Sequence, residues 1–276
     1  MEIALAQLRV EPGNPRTNRE RAVSYIETAA ARGADVVVLP ELFTVGYFAF
    51  DSYARTAEAL DGETLTTLGS AAADEGVAVL AGSIVEDLEA SAERGIDVPA
   101  AEGYANTAAF LDRNGEIQSV YRKHHLFGYG SAEQELLTAG ESLQTAEFEG
   151  FTVATTTCYD LRFPELYRSL VDAGATLVLV PSAWPYPRVE HWRLFPRARA
   201  VENLLYVAAV NGVAEFEDAS LCGRSGVYDP WGTKLAGLGD APGLVTARLD
   251  PDEVATRRAA FPALVDRRED HPRERP

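Results

Sequence analysis

Apolar residues follow two alternating patterns along the chain. Stretches rich in apolar and β-branched residues occupy 3–10, 34–40, 77–85, 150–156, 175–181 and 204–211, and that at 34–40 is continuously apolar after Asp35. Runs of this length predict buried strands. Between them, apolar positions recur at helical spacing. Ala22, Val23, Ile26 and Ala29-Ala30 follow Asn14-Pro15 and end at Gly33, which predicts a helix with both boundaries marked. Leu65, Leu68 and Ala71-Ala72 predict a second helix behind Gly62-Glu63-Thr64. Others are predicted from Pro164, over 191–203 and over 252–260. Residues 104–112 and 116–121 read as a hairpin across Arg113-Asn114-Gly115, 226–235 as another, and 243–249 as a last strand. The polar stretch 87–103 reads as a loop.

Strands alternate with helices without a linker or an internal repeat, which predicts one domain of α/β class over residues 1–265. Residues 266–276 are dense in Arg, Asp, Glu and Pro and read as a charged tail, either disordered or anchored on a partner chain. No apolar run is long enough to span a membrane, and the opening residues lack the basic segment of a signal peptide. The two cysteines, Cys158 and Cys222, are too few for a disulfide framework, so the expected setting is a reducing cytoplasm. Cys222 reads as structural.

The net charge of -17 repels nucleic acid and anionic membranes, so neither is an expected partner. No Gly-x-Gly-x-x-Gly or Walker loop follows a strand, which leaves nucleotide binding unsupported. Glu41 and Cys158 lie just beyond the C-terminal ends of predicted buried strands, the edge where open α/β sheets bind ligands. Cys158 falls on a tight turn between the 150–156 strand and a helix opened by Pro164-Glu165. A thiol held there is expected to be exposed, near a positive helix end, and biased toward the thiolate. The competing reading is a small inert core residue. Lys123, one of only two lysines in the chain, follows the 116–121 strand. A thiol, a carboxylate and a lysine at strand ends suggest acyl transfer: a base for the thiol proton and a cation for the oxyanion. His124, His125, His191 and His271 lack zinc spacing, so no metal site is expected.

Three blocks bring a family into view. Pro40-Glu41-Leu42 with Gly46-Tyr47, then Tyr121-Arg122-Lys123-His124-His125-Leu126-Phe127, then Cys158-Tyr159-Asp160-Leu161-Arg162-Phe163-Pro164-Glu165 stand in the order of the signature blocks of the nitrilase, or carbon–nitrogen hydrolase, superfamily. The chain resembles that family over almost its whole length. The resemblance implies a four-layer αββα sandwich that pairs into homodimers or larger assemblies. It implies a Glu41–Lys123–Cys158 triad: Glu41 as general base and later acid, Lys123 and the Tyr159 N–H as oxyanion donors, and Cys158 as the thioester-forming nucleophile, with no metal or organic cofactor. A second family glutamate maps to Glu133, with Glu135 close enough to compete. Tyr47, Phe127, Arg162, Ala183 and Trp184 are implied as pocket residues. Cys-Tyr-Asp-Leu-Arg-Phe-Pro-Glu is similar to the amidase branch that includes ω-amidase, whose small amide substrates also carry a carboxylate. Arg162 either pairs with such a carboxylate or holds its own loop by an internal ion pair. Nitrile or N-carbamoyl hydrolysis, acyl transfer to an amine, and a non-catalytic scaffold are the alternatives; the intact Glu41, Lys123 and Cys158 argue against the last.

The 42 acids are spread along the chain against 25 bases. Either the surface is adapted to a salt-rich cytoplasm, where repulsion is screened, or it belongs to an ordinary acidic enzyme. A salt-adapted chain should melt at higher temperature and turn over faster in molar KCl; equal stability and activity with and without the salt would assign the ordinary reading.

Overall fold

The computed structural model describes residues 1–268. Its first strand, β1 (Glu2–Gln7), stops before the end of the 3–10 run, because Arg9 turns outward and keeps only an isolated bridge to Val213. Helix α1 (Pro15–Ala31) begins where the sequence marks it: Asn14 accepts from the Thr17 amide and Pro15 fills the first turn. Strand β2 (Val36–Val38) delivers the chain to Glu41. A short α2 (Tyr53–Thr56) precedes α3 (Glu63–Glu75), which ends on Gly76 in the left-handed region at φ 65°.

The run 77–85, expected as one strand, forms two: β3 (Ala78–Leu80) and β4 (Ile84–Asp87). Both pair with one long strand, β5 (Tyr104–Leu111), and the break between them falls at Gly82. There the Pro40 carbonyl crosses so closely that a Cβ on Gly82 would lie 2.1 Å from its oxygen. The polar stretch 87–103 is not all loop. It holds helix α4 (Leu88–Glu93), capped by Asp87, whose side chain accepts from the Ala90 amide. The expected hairpin forms between β5 and β6 (Ile117–Arg122).

After the short α5 (Glu133–Leu136), a strand absent from the sequence reading, β7 (Thr145–Phe148), pairs with β8 (Phe151–Thr155). Glu149 and Gly150 turn between them at φ 49° and 80°, a primed-type reversal. This edge strand carries no continuous apolar run, so pattern alone did not reveal it. A 3-10 turn at Cys158–Arg162 leads into α6 (Pro164–Asp172), then β9 (Leu177–Ser182). Helix α7 (Val189–Asn203) starts ahead of His191, and β10 (Tyr206–Asn211) starts later than expected because Leu204 caps α7 at φ 47°. Strands β11 (Gly226–Tyr228), β12 (Lys234–Gly237) and β13 (Gly243–Arg248) precede α8 (Pro251–Ala260).

Seven strands form the first sheet, in the order β13-β1-β2-β3-β5-β4 with β6 on β5; six form the second, β12-β11-β10-β9-β8-β7. Ile3, Leu5, Val36, Val38 and Phe110 of the first meet Phe151, Val153, Leu177, Leu179 and Val210 of the second in one buried layer. Ile26 of α1 and Leu65 and Leu68 of α3 cover the outer face of the first sheet, and Leu166, Tyr167 and Leu170 of α6 with Trp192 and Ala200 of α7 cover that of the second. The result is the single-domain αββα sandwich that the resemblance implied. Among the described residues no helix is long and apolar enough to cross a membrane. Of the tail, Arg267 pairs with Asp172 at 2.7 Å, and residues 269–276 lie outside the described residues.

Gly82→Ala places a methyl against the Pro40 carbonyl and strains a left-handed residue. It should lower unfolding free energy by about 2–3 kcal/mol in urea titration and reduce turnover by displacing Glu41. An unchanged midpoint would mean that the Pro40 crossing shifts freely.

Candidate active site

The chain leaves β8 and reverses sharply at Cys158, which sits at φ 48°. A non-glycine residue there is strained and is held by its surroundings. The holding group is Asp160, fully buried. One oxygen accepts from the Thr157 amide at 2.9 Å and the Tyr121 hydroxyl at 2.7 Å. The other accepts from the His125 amide at 3.0 Å and meets His125 Nδ1 at 2.7 Å. Tyr121 and His125 flank Lys123, so one carboxylate ties the cysteine turn to the lysine segment. The His125 ring also stacks on Phe163 at 3.6 Å, and His124 Nδ1 meets the Gly140 carbonyl at 2.7 Å.

Lys123 is buried. Its ammonium donates to Glu41 Oε1 at 2.8 Å and to both Glu133 oxygens at 2.8 and 2.9 Å, and lies over the Tyr47 ring. Glu133 is also fully buried and accepts from the Tyr47 hydroxyl and the Phe127 amide, whereas Glu135 is exposed; the geometry therefore puts Glu133 beside the lysine. Glu41 Oε2 accepts from the Ala183 amide at 2.8 Å, and the carboxylate lies near enough to the Cys158 thiol for its charge to act on it. Asn211 fixes the Ala183-Trp184 segment, accepting from the Trp184 amide and donating to its carbonyl. Next to Lys123, Arg122 forms a two-pronged ion pair with buried Glu86 at 2.7 and 2.8 Å.

Burial pushes the Glu41 carboxyl above its ordinary range; Lys123 opposes this and Glu133 adds to it. Burial alone would push the Lys123 ammonium down, but Glu133 and Glu41 outweigh it and hold it well above the usual lysine value. Cys158 corrects the sequence expectation. The thiol is only 8 % exposed, and burial, then the Glu41 charge, push it well above the ordinary thiol range. The short 3-10 turn behind it does not offset that. At rest the group is a thiol, and its proton has to leave as it attacks.

Cys158 and Lys123 open on a narrow pocket whose walls include Tyr47, Phe127, Tyr159, Arg162, Ala183 and Trp184, the residues named from the sequence. Phe48, Pro185 and Arg188 complete it and were not foreseen. Arg162 packs over the Trp184 and Phe195 rings and donates to His191 Nδ1 at 2.9 Å. Among the described residues it makes no ion pair, so the internal-ion-pair reading does not hold. Arg188 lies over the Phe127 ring and likewise has no acidic partner there. Asp160, Asn106 and Arg188 were missed. The first stood in a quoted block and the second is a lone amide in the apolar run of β5; Arg188 reaches the pocket only through the tertiary fold. Among the described residues no group of three or more His, Cys, Asp or Glu is arranged to hold a metal ion.

The carbon–nitrogen hydrolase family model matches residues 2–259. The chain belongs to the carbon–nitrogen hydrolase family. As a carbon–nitrogen hydrolase it is similar to curated 2-oxoglutaramate amidases. It is 35 % identical to that of Bacillus subtilis over 97 % of this chain and 98 % of the relative. It is 33 % identical to that of Paenarthrobacter nicotinovorans over 98 % and 90 %. It also superposes on an amidase from Nesterenkonia sp. AN1, solved with acrylamide added at its active-site cysteine. There the TM-score is 0.80 at 29 % identity, covering 96 % of this chain and 99 % of that one. The amidase branch read from the residues after Cys158 agrees with these relatives.

Glu41→Gln removes a charge that holds the thiol up. Alkylation of Cys158 by iodoacetamide at neutral pH should therefore speed up while amide turnover falls by roughly 10²–10⁴-fold for want of a base. Slower alkylation would show that the Glu41 charge does not restrain the thiol.

Proposed function

We propose that this carbon–nitrogen hydrolase converts a small linear amide that also bears a carboxylate, of the 2-oxo acid ω-amide kind, to the acid and ammonia. The observation that carries this reading is the pair of arginines on the Cys158 pocket, Arg162 and Arg188, which have no acidic partner among the described residues of a chain with a net charge of -17. A carboxylate is the group that a guanidinium fork facing an apolar pocket takes best.

Cys158 Sγ attacks the amide carbonyl as its proton passes to Glu41. The oxyanion is held by Lys123 Nζ and by the Tyr159 N–H, which sits at the start of the 3-10 turn where backbone donors lack helical partners. The C–N bond breaks, Glu41 returns the proton to the nitrogen, and ammonia leaves. Water then attacks the thioester and gives a proton to Glu41. The C–S bond breaks, the acid leaves, and Cys158 regains its proton. Throughout, Glu133 holds Lys123 charged.

We further propose a cytoplasmic homodimer or larger homo-oligomer, with the catalytic domain over residues 1–265 and a charged tail over 266–276. Leu194 and Val201 on α7 are exposed, as is Trp231, whose neighbour Gly232 abuts Val201, which supports pairing through that face. The Arg267–Asp172 ion pair starts the tail on the domain surface.

The test is ammonia release in high-KCl buffer from α-ketoglutaramate, α-ketosuccinamate, glutamine, an aliphatic amide, a nitrile and an N-carbamoyl amino acid, with Cys158→Ala as control. The keto-acid amides should be turned over, and the control should be inactive. Arg188→Ala should raise KM for the keto-acid amides by roughly 10–100-fold and leave the aliphatic amide unchanged. Release only from the nitrile or the carbamoyl compound, or activity near the parent in Cys158→Ala, would overturn the proposal.

A further inference from the structure

Asn106 lies on β5 beside the lysine segment, and its backbone carbonyl accepts from the Lys123 amide at 2.9 Å. Its side chain is fully buried. Nδ2 donates to Glu41 Oε1 at 2.9 Å and to Glu133 Oε1 at 3.1 Å, one hydrogen for each carboxylate. Lys123 Nζ donates to the same two oxygens. Asn106 Oδ1 is buried and has no hydrogen-bond partner. Turning the amide over would set that oxygen against two carboxylates, so the observed orientation is the one that the charges allow. A buried acceptor without a partner is destabilising. The amide is thus held for what Nδ2 does and at some expense to stability.

We propose that Asn106 is a positioning residue that selects the oxygen of Glu41 which takes the Cys158 proton, and that keeps both glutamates apart while Lys123 turns to the oxyanion. Glu41 Oε1 meets two donors, an amide and an ammonium, neither of which accepts a proton. Oε2 accepts from the Ala183 amide, which leaves it the less occupied of the two oxygens. The proton therefore goes to Oε2, the oxygen that carries one donor where Oε1 carries two. When one Lys123 N–H swings to the substrate oxygen, Asn106 still bridges Glu41 and Glu133 and offsets their repulsion. This rests on the catalytic roles proposed above for Glu41, Lys123 and Cys158.

The groups facing Glu41 are Lys123, Glu133, the Cys158 thiol, the hydroxyls of Tyr47 and Tyr53, and the Ala183 amide. Removing a neutral donor from the ionised carboxylate raises its pKa, because the bond favours the charged form. Asn106→Leu should therefore shift the acid limb of kcat/KM upward by about one pH unit and lower kcat by roughly tenfold or more, with KM little changed. Its melting temperature should stay within a few degrees of the parent, since the unmatched Oδ1 goes with the amide. Asn106→Asp, of the same shape, adds a third carboxylate and should move the acid limb further up. Both profiles are taken on the best amide and on p-nitrophenyl acetate. A silent amide panel would sink the proposed function, while the ester profile still reads the Asn106 effect. An acid limb that stays in place in both variants overturns the inference, as does failure of both to fold, which would make Asn106 a structural residue only.

Discussion

A single buried ammonium, Lys123, held between Glu41 and Glu133, is the interaction on which the structure depends. Two acids and one base sealed from water leave a net negative charge in the core, a costly arrangement unless each group is fully bonded. Every neighbour supplies a bond: the amides of Phe127 and Ala183, the Tyr47 hydroxyl and the Asn106 side chain. The segments that carry these groups are pinned in turn. Arg122 grips buried Glu86, Asp160 ties Tyr121 and His125 to the cysteine turn, and Asn211 fixes Trp184. The sandwich makes this possible. Glu41, Lys123 and Asn106 come from the first sheet, Cys158 and Ala183 from the second, and the apolar layer between the sheets keeps their ends in register.

The same environment decides the chemistry. A low-polarity site with a surplus of negative charge keeps Cys158 protonated and lifts the Glu41 carboxyl toward the range where it can both take and return a proton. A free thiolate would not need Glu41. A buried thiol does, and under the proposed mechanism coupling attack to proton transfer confines reactivity to substrates that fit against Lys123. The strained backbone at Cys158 aims the sulfur into the pocket, and Asp160 holds that strain in place.

The acidic surface and the pocket oppose each other electrostatically. A chain carrying -17 repels small anions at long range, yet Arg162 and Arg188, which have no acidic partner among the described residues, put positive charge on the pocket. Salt reconciles the two, because it screens exposed charges separated by more than about 10 Å and screens buried contacts much less. Ionic strength then acts on approach more than on the bound state.

Local signals determined much of this protein. The apolar runs, the Asn14-Pro15 helix start and the Asn-Gly hairpin prescribe most strands and helices, since each depends on neighbours a few residues away. The three blocks around Glu41, Lys123 and Cys158 marked the site, because the turns that mount them are local too. What the sequence could not decide depended on distant contacts. The break at Gly82 exists because the Pro40 carbonyl crosses there, and β7 because β8 pairs with it. The choice of Glu133 over Glu135 follows from which face of a short helix turns to Lys123. Arg188 joins the pocket only when the loop after β9 folds back over Phe127. The protonation state of Cys158 was misjudged for the same reason: a turn suggests exposure, but burial is set by everything packed around it, and burial decides the charge.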